Sequence, residues 1–407
     1  MYVRKNVQII NETQDKLERL DGGFAVNECW KLKKKLFPHS KDPPHAVLDV
    51  HGNLITNSVG ILDRFKEEFA YRLRNREISE PYSDLMDVKE YLCVLRLEIA
   101  KNKDYQPWTI IQLNVALKRL QNNKCRDPHG HINELYKNIG IDGKESLLLM
   151  FNQIKKEVLI PGELDLSDVT ILYKNKGSRQ DVVNWRGIFK LAIVRNILDR
   201  LIYLDEKSEV SKNMSEFQVG NQSERNIRDH TFVIHAVINE SYNKSIHIDI
   251  NFYDIKQCFD AIWLKEAIND MYKHGVRNRN LNLLYLGNGK TKMAVETSAG
   301  KTDRIELKQL VMQGSVPGGF LTSNQLSIIG NKMFNNGDTY MYMNKIPIPA
   351  LIMVDDIASI TLCNTSQSIA SNVKIDNFVQ SKKLECQTGT GKCQWIHIGD
   401  GKCQSNY

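Results

Sequence analysis

The chain has 407 residues, of which 42% are hydrophobic and 25% charged, with a formal net charge of +7. That composition can bury one large or two to three ordinary domains and excludes a disordered or fibrous chain. No stretch approaches the roughly 18 to 20 uninterrupted apolar residues of a membrane span, and the opening MYVRKNVQII lacks the apolar core of a signal peptide, so an intracellular protein with no membrane partner is expected.

The eight cysteines are scattered and carry no secretory context, which favours free thiols over a disulfide framework. The modest positive charge is compatible with a polyanionic partner, because fixed cations release counterions from a phosphate backbone. Basic proteins without a nucleic-acid role are common, so charge alone decides nothing.

In chain order, Met1 to Lys41 is polar, with the basic run Lys31, Lys33, Lys34 and Lys35 beside Trp30, readable as a solvated helix face or a phosphate-binding arm. Ser40 to Pro44 is a turn-rich linker. Ala46-Val47-Leu48-Asp49 and Leu54-Ile55 flank the turn signal Gly52-Asn53 and predict a short hairpin. Ile61, Leu62, Phe65 and Phe69 recur at helical spacing, so Ser58 to Ala100 is expected to be mainly helix. A second helix is expected after Trp108, with Thr109 as N-cap and Leu113, Ala116, Leu117 and Leu120 on its buried face. Turn residues Asp127-Pro128 and Gly130 close that stretch.

From Gly162 the texture changes to strands mixed with helices. Val169 to Tyr173 is β-prone and leads into the basic loop containing Lys174 and Lys176, then into Asn184-Trp185-Arg186-Gly187. Ile246 to Tyr253 alternates apolar and polar with period two, the pattern of a half-buried strand, and delivers Asp254 at its end. Alone, Asp254 is equally readable as a helix cap or a surface acid. Val311-Met312-Gln313-Gly314-Ser315-Val316-Pro317-Gly318-Gly319 is a glycine-rich turn opening onto an apolar helix from about Phe320 to Phe334. Pro347 to Val354 is an apolar run that stops at Asp355-Asp356 and resumes as Ile357 to Leu362, which predicts a hairpin with two acids at its tip. Adjacent acids between buried strands repel unless a cation neutralises them, and magnesium, a hard cation that prefers oxygen ligands, suits them. With Asp254 on a neighbouring strand, two ions about 3.5 to 4 Å apart would activate a 3′-hydroxyl and stabilise a leaving pyrophosphate.

The set YDIKQCFDAIW, MQGSVPGGFLTSN and MVDDI, in this order, resembles the palm motifs of reverse transcriptases, and LQNNKCRDPHGHINELYK, VTILYKNKGSRQDVVNWRGI and SKKLECQTGTGKCQWIHIG resemble the non-LTR (LINE-type) retrotransposon branch. The resemblance implies an α+β right-hand polymerase: a helical N-terminal extension over 1–105, a fingers-like region over 106–245, and a palm with an antiparallel sheet over 246–407. It implies RNA-directed DNA synthesis by two-metal nucleotidyl transfer, with Asp254, Asp355 and Asp356 as catalytic residues and ligands of two Mg²⁺ ions, for which Mn²⁺ can substitute. Phe259 would lie against the sugar and exclude a ribose 2′-hydroxyl. Gln313, Gly314, Arg186, Lys174 and Lys176 would line the dNTP site, and Lys383 or its neighbour Lys382 would approach the pyrophosphate. The implied partners are an RNA template, a DNA primer or target DNA, and dNTPs, and the family's habit implies nuclear residence. An RNA-synthesising replicase shares paired acids in a palm hairpin, but Phe259 and the fingers-like text favour DNA.

Two departures accompany the resemblance. Met353 stands where the family has an aromatic residue, and no segment resembling the family's thumb follows the palm motifs before Tyr407. The second expectation is therefore a catalytically inactive nucleic-acid-binding remnant. Cys386, Cys393, His397 and Cys403 fit neither a zinc knuckle nor a paired CxxC site. Oligomeric state, template preference and insertion target are not legible.

Overall fold

A computed structural model describes residues 43–73, 105–308, 311–334, 341–343, 345–348, 350–363, 365–382, 384–387 and 393–399, and these form a mixed α+β fold. The basic run Lys31 to Lys35, the helix expected beyond Leu73, Lys383 and Cys403 lie outside the described residues.

The hairpin around Gly52-Asn53 is present as β1 (Val47–Leu48) and β2 (Leu54–Ile55), antiparallel with Val47 opposite Ile55. The Asp49 carboxylate closes it by accepting from the His51 and Asn53 amides, each at 2.8 Å. Helix α1 (Ser58–Arg72) follows, capped by Asn57, whose side chain accepts from the Gly60 amide. Its apolar stripe, Ile61, Phe65 and Phe69, packs on a five-stranded sheet and shares a core with Val169, Trp185, Phe189, Met293 and Val295. That sheet joins β3 (Leu166–Tyr173), β4 (Trp185–Leu191), β6 (Lys290–Thr297), β7 (Gly300–Lys301) and β8 (Ile305–Lys308). β3 and β4 are antiparallel, whereas β3 and β6 are parallel, with paired residues 126 positions apart in sequence. Residues 43–73 thus pack into the same core as both strand pairs.

A larger, mostly helical core is built from α2 (Ile110–Lys118), α3 (Asn133–Lys137), α4 (Ile141–Glu157), α5 (Ile193–Asn213) and elements described below. Thr109 is the N-cap of α2 in a capping box with Gln112, and Leu113, Ala116, Leu117 and Leu120 are buried. Trp108 is a core residue, 2% exposed, and its indole donates to Asp205 at 2.6 Å. Asp205 also takes Lys155 at 2.7 Å and the Gln112 amide at 2.8 Å, so one carboxylate fastens α2 and α4 to α5.

The second sheet has the order β11 (Leu351–Met353), β12 (Asp356–Leu362), β5 (Ile248–Tyr253), β13 (Gln394–Ile398), with antiparallel neighbours throughout. Helix α6 (Ile227–Lys244) covers one face, where Val237 meets Ile248, Ile250 and Ile360. The alternation in β5 predicted a half-buried strand, but Asp249 and Asn251 are 6% and 7% exposed. The polar face is covered as well. Register sets Asn251 beside Ser359 and Asp249 beside Thr361, and the Tyr253 hydroxyl donates to Asn372 of α11 (Thr365–Ser381). Period two here separates an apolar interface from a polar one, not core from solvent.

Short helices α7 (Cys258–Ala261) and α8 (Leu264–Lys273) follow β5, and α9 (Arg279–Gly289) leads to β6. Helix α10 (Val316–Phe334) starts earlier than expected, so Pro317, Gly318 and Gly319 lie in its first turn and not in a loop. The single run Pro347 to Val354 is divided: β10 (Ile346–Ile348) pairs with β9 (Met341–Met343), and β11 begins afresh at Leu351.

Candidate active site

Strand register assembles the acids. Met353 pairs with Asp356 across the β11–β12 hairpin, leaving Val354 and Asp355 as its two-residue turn. Ile357 pairs with Tyr253, so the next residues out, Asp356 and Asp254, fall side by side at the end of the sheet. Beyond β5 the chain is held on its other flank: the Gln387 amide donates to the Asp254 carbonyl at 2.7 Å, and Ile255 bridges to Cys386.

These three carboxylates line a cleft of about 560 Å³. Arg72, Lys174, Lys176 and Arg186 line the same cleft, as do Phe259, Asp260 and Gln313. Eight residues named from the sequence, Asp254, Asp355, Asp356, Phe259, Gln313, Arg186, Lys174 and Lys176, therefore meet in one place although they are separated by up to 182 positions. Gly314 adjoins the cleft through Gln313 and packs on β4; its φ of +96° is a conformation that glycine adopts without strain. The Gln313 carbonyl accepts from the Phe189 amide at 3.3 Å, which ties this turn to the sheet carrying Arg186.

Electrostatics divide the cleft. Burial, then Asp356 and Asp254, push the Asp355 carboxyl up to about 6. Burial likewise raises the thiol of Cys258, which lies among Asp355, Asp260, Asp254 and Asp356. Among the cations, desolvation by the cleft walls and then Arg72 lower the Lys174 ammonium. Burial raises the Asp260 carboxyl against the pull of Arg72, Lys174 and Arg186. A cluster of oxygen donors whose mutual repulsion raises proton affinity suits a hard divalent cation, and the cationic side chains suit phosphate oxygens. Asp254, Asp355 and Asp356 are the residues that would hold Mg²⁺.

Arg72 and Asp260 are among the cleft residues not named from the sequence. Arg72 is anchored by its own hydrogen bonds to Glu68 at 2.7 Å and to the Trp185 and Val182 carbonyls at 2.6 and 2.8 Å. It reaches the site from the end of α1, and nothing in its local sequence signals that. Asp260 was within the quoted motif YDIKQCFDAIW, six residues after Asp254, which is the signal that would have found it.

No known protein-family model matches the chain. Two other expectations meet different outcomes. Lys382 lies away from the cleft: its ammonium bonds Asp270 at 2.8 Å and Glu266 at 3.1 Å, and these acids outweigh burial and raise its pKa. Free thiols were favoured over a disulfide framework, and among the described residues Cys125, Cys258, Cys386 and Cys393 are free while Cys363 is disulfide-bonded. Among the described residues, Asp249, Cys363 and His397 approach one another closely enough to share a metal ion. The disulfide removes the Cys363 thiolate from that set, and His397 spends one ring nitrogen on Asp249 at 3.0 Å and the other on His247 at 3.3 Å. No helix of the described residues is long and apolar enough to cross a membrane.

Proposed function

We propose that this chain is a template-directed nucleotidyltransferase, an RNA-directed DNA polymerase of the non-LTR retrotransposon type, with fingers and palm built around the cleft. The observation that carries the reading is that one cleft is lined by Asp254, Asp355 and Asp356 together with Lys174, Lys176 and Arg186, six residues that the motif resemblance names, with Arg72 added by the fold. Bound Mg²⁺ would supply Lewis-acid activation of a primer 3′-hydroxyl and neutralise charge on the leaving pyrophosphate. The chain's own contribution is positioning and charge, as in phosphoryl transfer generally. Asp254 follows the end of β5, Asp356 opens the adjacent strand β12, and Asp355 stands in the β11–β12 turn, so sheet register sets the ligands side by side. Arg186, Lys174 and Lys176 orient a triphosphate, and Asp260 balances them when the site is empty of phosphate. Phe259 fills the wall next to Asp254, where a ring discriminates against a 2′-hydroxyl. RNA template, DNA primer and dNTPs are the proposed partners, and a nuclear location follows only from that assignment.

The test is primer extension by the purified chain on poly(rA) with oligo(dT), Mg²⁺ and dTTP, beside Asp355→Ala. Incorporation that disappears in the variant is the expected result. Template binding without incorporation by the wild-type chain would replace this reading with that of a non-catalytic nucleic-acid-binding protein.

A further inference from the structure

The segment Ser215 to Asn221, between α5 and α6, lies alongside the acid-bearing hairpin. Ile352 exchanges two backbone bonds with it, receiving from the Val219 amide and donating to the Phe217 carbonyl, both at 2.9 Å. Gln218 is 0% exposed, and its side-chain amide bonds the hairpin, α10 and its own segment. Its Oε1 accepts from the Val354 amide at 2.9 Å and from the Gly220 amide at 2.8 Å. Its Nε2 donates to the Val354 carbonyl at 3.1 Å and to the Ser323 carbonyl at 3.3 Å.

One side-chain amide therefore grips both backbone groups of the residue immediately before Asp355. That residue is in an unfavourable state: Val354 has φ of +60°, at the first position of a two-residue turn whose second position has no positive φ. This is the type II′ pattern, in which glycine is the usual first residue, and a β-branched side chain there is strained. Gly220 permits the grip to be this close, since a Cβ at that position would meet the Val354 nitrogen at 2.6 Å. Asn221 extends the tie by donating to the Gly319 carbonyl and the Ser323 hydroxyl at 2.8 and 2.7 Å.

We infer that Gln218 is a positioning residue: it holds Val354 in its strained conformation and so sets where Asp355 and Asp356 stand relative to Asp254. The inference rests on the proposal that these acids bind a divalent cation. Substitution of groups that orient metal ligands weakens metal binding by about 10- to 100-fold.

The experiment measures Mn²⁺ affinity by electron paramagnetic resonance for the wild type, Gln218→Leu, Val354→Gly and the double variant, with Asp254→Asn as the control for site occupancy. Glycine takes up φ of +60° without help, so the clamp becomes redundant once Val354 is replaced. Gln218→Leu is expected to weaken Mn²⁺ binding about tenfold or more in the wild-type background. In the Val354→Gly background it is expected to cost about twofold or less, a non-additivity reserved for directly coupled residues. Equal losses in both backgrounds, or no loss in the first, overturn the inference, because a purely structural role does not depend on the residue at 354. If Gln218→Leu alone does not fold, folding restored by Val354→Gly supports the clamp, and failure to restore it overturns it. Wild-type protein that binds Mn²⁺ at Asp254 but does not extend a primer defeats the polymerase reading and leaves the clamp to be read from affinity. Wild-type protein that does not bind Mn²⁺ there defeats both.

Discussion

Replacing Asp355 with asparagine is expected to stabilise the metal-free chain near neutral pH and to remove its response to magnesium. Burial and the adjacent Asp356 and Asp254 raise the Asp355 carboxyl from 3.8 to about 6. Between those values the folded chain retains a proton that the unfolded chain has released, so stability falls as pH rises through this window and stays at the lower level above it. The gap is about two pH units, which at about 1.36 kcal/mol each sets an upper bound of roughly 3 kcal/mol. Asp355 is half-buried, and solvent screening reduces the expected penalty to on the order of 1 to 2 kcal/mol. Asp355→Asn keeps the shape and abolishes the ionisation. In EDTA at about pH 7.5 its melting midpoint should exceed that of the wild type by roughly 2 °C for each kcal/mol relieved. At about pH 4 the wild-type carboxyl is protonated in the fold as well, and the two midpoints should converge. Added Mg²⁺ should then raise the wild-type midpoint by mass action and leave the variant nearly unchanged. Thermal scans at the two pH values, with and without Mg²⁺, read all of this. A difference that is the same at both pH values, or an equal response of both proteins to Mg²⁺, refutes the assignment of Asp355 as a repelled, cation-seeking carboxylate.

Arg186→Gln should raise the KM for dNTP about 10- to 100-fold with a smaller change in kcat, since one charge-assisted bond contributes roughly 1.5 to 3 kcal/mol; steady-state primer extension over a dNTP titration measures it. Phe259→Val should open the wall beside the sugar and raise the ribonucleotide-to-deoxynucleotide ratio of kcat/KM by roughly 10-fold or more, the scale of steric discrimination in a pocket. Competing rNTP and dNTP incorporation gives that ratio directly. Lys382→Met should cost about 3 to 5 kcal/mol in denaturant unfolding, because it leaves two buried carboxylates without a counter-charge. Those carboxylates, Asp270 and Glu266, are 1% and 6% exposed. Mn²⁺ affinity should survive that substitution wherever the fold does.

What was legible in the sequence is what short-range physics determines. Thr109 and Gln112 carry a capping box within four residues, Gly52-Asn53 marks a hairpin by its own turn chemistry, and two adjacent acids interrupting an apolar run announce a charged hairpin tip. Each of these is decided by neighbours in the chain. The period-two pattern of β5 was also correctly a strand, but alternation reports that two faces differ and not what covers them. Here Asn372 of α11 accepts from the Tyr253 hydroxyl and His397 of β13 pairs with Asp249, so the second face has polar partners of its own. The early start of α10 has a similar origin: Gly318 and Gly319 suggested a loop on propensity, and tertiary packing against the hairpin and Asn221 overrides a cost of about 1 kcal/mol per glycine.

The cleft shows where local reasoning ends. Arg72 belongs to an amphipathic helix whose charged residues look like any solvated face, and only the packing of Phe65 and Phe69 on β3, β4 and β6 brings its guanidinium to the Trp185 carbonyl. Gln218 sits in a polar stretch with no periodicity, 136 residues before the backbone groups it binds. The same comparison explains the one residue whose local preference is violated at the site. Valine at position 354 disfavours the turn that two acids need, and the fold meets that cost from a distant glutamine. A strained residue beside the acids is the kind of inconsistency expected where function, not stability, sets the backbone. It is also the reason that the exchange of a single methyl-bearing residue for glycine, which touches no ligand, is predicted to change what Gln218 is for.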